Sequence, residues 1–212
     1  MFEISPDLAE TLGVLLGDGC ISRYFSNGRE EYQVAFTAST SEYEYYEGVI
    51  QPTFEREFGT KGSLYRRRDN TTRYHIFGAR LANQLIQLGI PVGKKLDASI
   101  PPAVLQSGQV IPFIRGIYHA EGSIYRRYSK KYNTHKRVYS NLLNVQIRMK
   151  LRTLMGQIHE QLNRLGIVTN RLTEHFGVFT LRITRQNMVA KFFEVVRPRY
   201  KTSPHGQIFN PP

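Results

Sequence analysis

Two hydrophobic patterns divide this chain. In several short stretches apolar and polar residues alternate, the two-residue period of a half-buried strand. Val145, Ile147 and Met149 fall on one face, while Asn144, Gln146, Arg148 and Lys150 fall on the other. Further on, Phe179, Leu181 and Ile183 alternate with Thr180, Arg182 and Thr184. Early in the chain, Tyr32, Val34 and Phe36 alternate with Glu31, Gln33, Ala35 and Thr37. The second pattern is an apolar stretch that reads as helix. It occurs as Leu12-Gly13-Val14-Leu15-Leu16-Gly17-Asp18-Gly19 and again as Arg115-Gly116-Ile117-Tyr118-His119-Ala120-Glu121-Gly122. Each copy ends on a small residue, an acid and a glycine.

The copies lie 103 residues apart, from Asp18 to Glu121. A period that long, used twice, fits two related halves better than a solenoid. In the first half Ser5 can cap a helix and Pro6 sits at its first position. Gly19 is the expected stop, in the left-handed conformation that glycine tolerates. A hairpin follows, about Ile21–Phe25 and Tyr32–Ser39, turning through Ser26-Asn27-Gly28. Glu42–Phe58 reads as helix, Ser63–Arg68 and Arg73–Phe77 as a second hairpin, and Ala79–Leu88 as a closing helix. Gly89–Gly108 carries three prolines and reads as a linker.

The second half repeats the order. Helix is predicted over Ile111–Ala120, strands near Ser123–Tyr128 and Val138–Met149, helix over Arg152–Leu165, strands at Val168–Thr173 and Val178–Thr184, and a last helix at Gln186–Val196. The expected fold is therefore α+β, two pseudo-symmetric α-β-β-α-β-β-α halves. Residues 1–100 form the first, with the linker beginning near 89, and residues 101–212 the second. The proline-rich tail Arg197–Pro212 is expected to be irregular.

Charge narrows the partner. Lys and Arg number 29 against 17 Asp and Glu, a net charge of +12. That excess points to a polyanion, nucleic acid before anionic membrane. No apolar run approaches the roughly 18–20 residues of a membrane span. Met1-Phe2-Glu3 lacks a basic and then apolar leader, so no signal peptide is expected. Cys20 is the only cysteine, which excludes an intrachain disulfide framework and a multi-cysteine zinc site. A cytoplasmic, reducing setting is the expectation, in a prokaryotic or archaeal cell.

The polar strand faces then acquire a meaning. A single such face is an ordinary solvated sheet surface. Taken together, these faces are rich in the side chains that contact base edges in the major groove. Glu31, Gln33 and Thr37 in the first half, and Asn144, Gln146, Arg148, Thr180 and Arg182 in the second, are candidate DNA contacts. Arg23, Arg73 and Tyr125 join them. Basic clusters at hairpin tips suit phosphates: Arg66-Arg67-Arg68, Arg126-Arg127, Lys130-Lys131 and Lys136-Arg137.

Asp18 and Glu121 are the chemically odd residues. A carboxylate at a helix C-terminus meets the negative end of the macrodipole, which costs a few tenths to ~1 kcal/mol. Gly13 and Gly17, four residues apart, share one helix face, and Gly116 and Ala120 repeat that spacing. Small residues so placed allow two helices to approach closely. Two acids brought together there repel each other unless a divalent cation relieves them. Hard oxygen ligands suit Mg2+ or Mn2+.

With these motifs in place, the chain resembles the LAGLIDADG homing endonucleases of the single-chain, two-motif type. Leu12–Gly19 and Arg115–Gly122 look like the two motif copies, and the resemblance covers roughly residues 8–196. Phe113-Ile114-Arg115-Gly116-Ile117-Tyr118 and Leu162-Asn163-Arg164-Leu165-Gly166-Ile167 bring the second half nearest to archaeal, intron-encoded monomeric members. The resemblance implies two saddle-shaped antiparallel sheets gripping double-stranded DNA, packed through the two motif helices. It implies that Asp18 and Glu121 bind a divalent metal, with the carbonyls of Gly17 and Ala120 as further ligands. Metal-assisted water would then hydrolyse each strand, in a monomer that needs no protein partner.

The sequence departs from the family pattern at two points. The second acid is Glu rather than the commoner Asp. Lys150 fits the position of a family lysine near the scissile phosphate, but the matching place in the first half, Ala38-Ser39, offers no base. The two sites are therefore expected to be unequal. Rival readings on the same scaffold are an RNA maturase or a DNA-binding regulator without cleavage. A structural rRNA-binding protein is the other rival, against which the duplicated acids argue. His119-Ala120-Glu121 imitates the H-x-E of zinc deaminases, but no C-x-x-C follows. An intein is rejected because position 1 has no nucleophile and the end has no His-Asn.

Overall fold

Ser5 starts the first helix as expected: its hydroxyl accepts the Leu8 N–H at 3.2 Å, and Pro6 follows at a position that has no N–H to lose. Helix α1 spans Pro6–Asp18. The computed structural model describes residues 3–131 and 135–201, and their side chains except those of residues 127–131 and 135–141. Every residue of α1 from Leu8 to Leu16 is buried, so the helix is a core element and needs no polar face. Its end corrects one expectation. Gly19 lies at φ −102°, extended rather than left-handed. Glycine is needed there for space: a Cβ would meet the Leu15 carbonyl oxygen at 2.9 Å and collide with the Leu15 side chain.

Strands β1 (Gly19–Ser26) and β2 (Arg29–Ser39) form the first hairpin. Asn27 and Gly28 both take positive φ, 50° and 72°, the two-residue turn whose twist matches the flanking strands. The segment expected as one helix is broken up. It opens as a 3-10 turn at Thr40–Glu42, passes through α2 (Tyr43–Tyr45) and a π turn (Tyr46–Ile50), and continues as α3 (Gln51–Phe58). Pro52 accounts for the wide turn, because it has no N–H to offer the preceding turn and its ring crowds the carbonyl there. Gly59, left-handed at φ 63°, ends α3. Strands β3 (Ser63–Arg66) and β4 (Thr71–Phe77) and helix α4 (Ala79–Gln87) complete the half.

The linker holds a short helix, α5 (Pro102–Gln106), before α6 (Val110–Glu121). It is tied to the first sheet where Gly93 N–H donates to Ile21 O at 2.8 Å. The second half follows with β5 (Gly122–Lys131), β6 (His135–Met149), α7 (Arg152–Arg164), β7 (Thr173–His175), β8 (Val178–Ile183) and α8 (Gln186–Val196). The β7 position is a correction, since a strand was expected at Val168–Thr173. Two backbone donors at its start go to side chains, Val168 N–H to Met188 Sδ at 3.2 Å and Thr169 N–H to Asn163 Oδ1 at 3.3 Å. Asn170 N–H does reach β8, at Arg182 O, 2.7 Å, but the regular ladder begins at Thr173.

Each half contributes a four-stranded antiparallel sheet, ordered β1-β2-β4-β3 and β5-β6-β8-β7. The identical order is the sequence repeat made structural. The chain divides into two compact units, Met1–Ala120 and Glu121–Pro212. In the first, Val34, Phe36, Tyr74 and Ile76 face Leu12, Ile50, Phe54 and Leu85 in a core of buried residues. In the second, Val145, Ile147, Leu181 and Ile183 face Leu154, Ile158, Leu162, Val189 and Phe192. Among the described residues no helix is long and apolar enough to cross a membrane.

Candidate functional site

The site is built on two glycines. A Cβ added at Gly13 would collide with the Phe113 carbonyl oxygen and approach Ile117 N to 2.9 Å. One added at Gly116 would collide with the Glu10 carbonyl oxygen and approach Val14 N to 3.0 Å. So α1 and α6 touch backbone to backbone, as the small residues predicted. Around that contact lies a polar network that sequence reading did not single out. Glu10, fully buried, accepts from Tyr45 Oη at 2.8 Å and from Arg115 Nη1 at 3.1 Å, and His119 Nε2 lies 3.6 Å from its Oε1. The signal was present as a charged residue inside an otherwise apolar helix, but its partners come from 35 and 105 residues away.

Asp18 is the last residue of α1 and half-buried, and Glu121 is the last residue of α6 and also half-buried. The α1 terminus has no basic residue in its own last turn. Its cation comes from the linker. Lys95 Nζ donates to the carbonyls of Leu15, Leu16, Gly17 and Gly19 at 3.2, 2.7, 3.0 and 2.7 Å. No local pattern marks Lys95, because its targets lie 76–80 residues earlier. The Tyr46 hydroxyl is buried without a partner, and its pKa is pushed well up by burial and by the negative charges of Asp18 and Glu42.

The ligating atoms on offer are carboxylate and peptide oxygens, hard ligands that fit a divalent cation. A carbonyl has two lone pairs, so Gly17 O can accept from Lys95 and still face an ion. Among the described residues no three His, Cys, Asp or Glu side chains gather as a metal cluster.

The sheet faces follow the predicted alternation, with exceptions. In the first sheet Gln33, Thr37, Tyr65, Arg73 and His75 share the face opposite the core, as the pairs Thr37↔Arg73, Tyr65↔Arg73 and Ser63↔His75 require. Glu31 lies on this face, paired with Tyr24. Arg73 Nε and His75 Nδ1 are buried without a hydrogen-bond partner, and burial followed by the Arg73 charge lowers the His75 pKa. Such unpartnered polar atoms are unusual in a finished surface. Tyr65, His75 and Phe77 were not singled out from sequence, because aromatic character hid their alternation with Thr72, Tyr74 and Ile76.

Other candidates sit differently. Arg23 pairs in register with Tyr32 on the opposite face and forms an ion pair with Glu30 at 3.3 Å. Arg66 registers with buried Thr72, and its guanidinium stacks 4.2 Å from the Tyr43 ring centre. Arg67 pairs with Asp69 at 3.3 Å, leaving Arg68 exposed in the turn.

In the second sheet the pairs Gln146↔Arg182, Arg148↔Thr180 and Tyr125↔Asn144 put these six residues on one face. Arg148 and Arg182 are exposed, but Asn144 and Thr180 are 7% and 6% accessible, so an open position for these two is corrected. Close strand neighbours cover these shorter side chains. Arg126 registers with Leu143 on the core side yet remains exposed beside a bulge. Lys150 is exposed just after β6. The side chains of Arg127, Lys130, Lys131, Lys136 and Arg137 lie outside the described residues.

Residues 108–197 match the LAGLIDADG-like domain family. The matched segment runs from α6 through α8. No curated protein matches the chain. Among solved structures, mesophilic variants of the homing endonuclease I-DmoI superpose with a TM-score of 0.63 at 20% identity, over 95% of this chain and 98% of that one. I-DmoI in complex with DNA and Mn gives 0.60 at 23% identity, over 91% and 97%. The LAGLIDADG meganuclease I-CpaMI bound to uncleaved DNA gives 0.63 at 12% identity, over 95% and 88%. At these identities the likeness is one of fold, and it spans both halves. The matched segment thus includes α6, the helix whose Gly116 meets α1, and the first half has the same strand order in its sheet.

Proposed function

We propose that this chain is a site-specific DNA endonuclease of the homing type, cutting both strands of a long asymmetric duplex as a monomer. The observation that carries the reading is the pair of motif helices, in contact through Gly13 and Gly116, each ending on an acid. A helix pair needed only for packing has no use for a carboxylate at each C-terminus. The fold neighbours I-DmoI and I-CpaMI, crystallised with DNA, support the substrate class.

Asp18 and Glu121 are the residues that would hold Mg2+ or Mn2+, together with the carbonyl oxygens of Gly17 and Ala120. The chemistry such an ion would supply there is activation of water at neutral pH and neutralisation of charge developing on the phosphate. The remaining chemistry belongs to the chain itself. The polar faces of the two sheets hold the duplex in register, where Arg73 Nε donates to an acceptor and His75 Nδ1 finds a hydrogen-bond partner. Lys150 stands as the second half's cation for the scissile phosphate. Ser39, at the matching place in the first half, is uncharged and hydrogen-bonded to Ser41, so the halves differ in the proton chemistry they offer.

The test is selection from a randomised duplex pool, with bound and cut molecules sequenced in Mg2+ and in EDTA. A shared sequence in the bound fraction under both conditions, with double-strand ends only in Mg2+, is the expected result. Specific binding without cutting in Mg2+ or Mn2+ would make the chain a DNA-binding regulator. Preference for structured RNA over every duplex would make it a maturase.

A further inference from the structure

We propose that Lys95 is the positioning residue of the first acid, holding the end of α1 so that Asp18 is presented in one orientation; this rests on the endonuclease reading above. Lys95 lies in the linker, beyond the point where Gly93 N–H is bonded to Ile21 O at 2.8 Å. That bond anchors the linker on β1, the strand that leaves α1 directly. From there Nζ reaches the carbonyls of Leu15, Leu16, Gly17 and Gly19, within 2.7–3.2 Å. An ammonium has three protons, so four acceptors converging on it share them. Gly17 and Gly19 flank Asp18, and fixing both peptides fixes the backbone from which the carboxylate projects.

The charge suits the place. The last carbonyls of a helix lack intrahelical donors and carry the negative end of the macrodipole. In α1 that end also carries an acid and no basic residue of its own. A compact ammonium answers both demands, which a planar guanidinium cannot do, since its donors diverge rather than meet at a point. Without it the last turn would fray and Asp18 would sample several positions. Outer partners of metal ligands typically change affinity or activity about 10–100-fold when removed.

Two variants and two readouts test this. Lys95→Met keeps the stem and removes the ammonium, and Lys95→Arg keeps the charge but not the point geometry. The first readout needs no metal or DNA: hydrogen exchange at the Gly19 amide, which donates to Leu15 O at the helix end. Both variants should exchange there at least tenfold faster than the parent, with amides in the middle of α1 unchanged. The second readout is strand-resolved cleavage in Mg2+. The strand that Asp18→Asn spares least should slow about 10–100-fold in both variants, while the other strand and the affinity for duplex stay as they were.

Equal slowing of both strands, or unaltered Gly19 exchange, would overturn the proposal. So would full activity in Lys95→Arg, which would reduce the role to charge alone. If Lys95→Met does not fold, Lys95→Arg carries both readouts. Should the wild-type chain cut no duplex, the endonuclease reading fails, and the Gly19 exchange still decides whether Lys95 holds the helix end.

Discussion

Asp18 and Glu121 stand on the final residues of their helices, where a carboxylate is disfavoured by a few tenths to ~1 kcal/mol. Function explains the retention of that cost better than folding does. Asp18→Asn and Glu121→Gln should each abolish or severely reduce double-strand cleavage, while gel-shift affinity for the same duplex is kept or increased. Wild-type cleavage in both variants would remove the two acids from the chemistry. On the sheets, exposure separates two residues that the strand pattern treats alike. Arg148 is exposed, so Arg148→Ala should relax base preference at particular positions of the selected site, by about 1–3 kcal/mol for a lost bidentate contact. Asn144 is 7% accessible, and Asn144→Ala should show instead as a change in melting temperature. A uniform loss of affinity in Arg148→Ala would reassign it to the phosphates.

Among elements, the α1–α6 contact is the one on which most depends. The backbones are close enough at Gly116 that a methyl group would collide with the Glu10 carbonyl. Overpacking of this kind costs about 1–3 kcal/mol, and in a chain of this size each kcal/mol lowers the melting temperature by about 2–4 °C. Gly116→Ala should therefore melt several degrees lower, whereas Gly48→Ala, in a helical turn where the added Cβ meets nothing within 4 Å, should melt no lower than the parent. The buried network beside it is equally sensitive. Removing one partner of a buried ion pair costs about 3–5 kcal/mol, and the Arg115 side chain, 16% accessible, recovers some of that in solvent. Glu10→Ala is expected at about 3 kcal/mol or slightly more in denaturant unfolding. A loss below 1 kcal/mol would mean the network contributes little.

At the scale of the whole molecule, the net charge of +12 would set how the protein meets a duplex. Phosphate contacts release counterions, so affinity falls steeply with salt. Binding measured from about 50 to 200 mM salt should drop by about three to five orders of magnitude if six to ten phosphates are engaged. A shallow dependence would place the positive charge away from the DNA. One chain already carries both motif helices and both sheets. Sedimentation of the complex should therefore give one protein per duplex, and two chains on one duplex would contradict the single-chain reading.

What the sequence determined by itself was local and repeated. The acid-glycine motif, the helix start at Ser5-Pro6 and the Asn27-Gly28 turn each depend on neighbours within a few residues, so periodicity and turn chemistry reveal them. The repeat then doubled the motif and the order of elements, and the two sheets share one strand order. Tertiary structure decided what distance in sequence conceals. Glu10 meets Arg115 from 105 residues away, and Lys95 caps a helix 76–80 residues upstream. Alternation could say which face Asn144 and Thr180 share with Arg148, but not that neighbours cover them. A period assigns a face, whereas exposure depends on what packs above it, and that is fixed only when strands from separate parts of the chain are laid side by side.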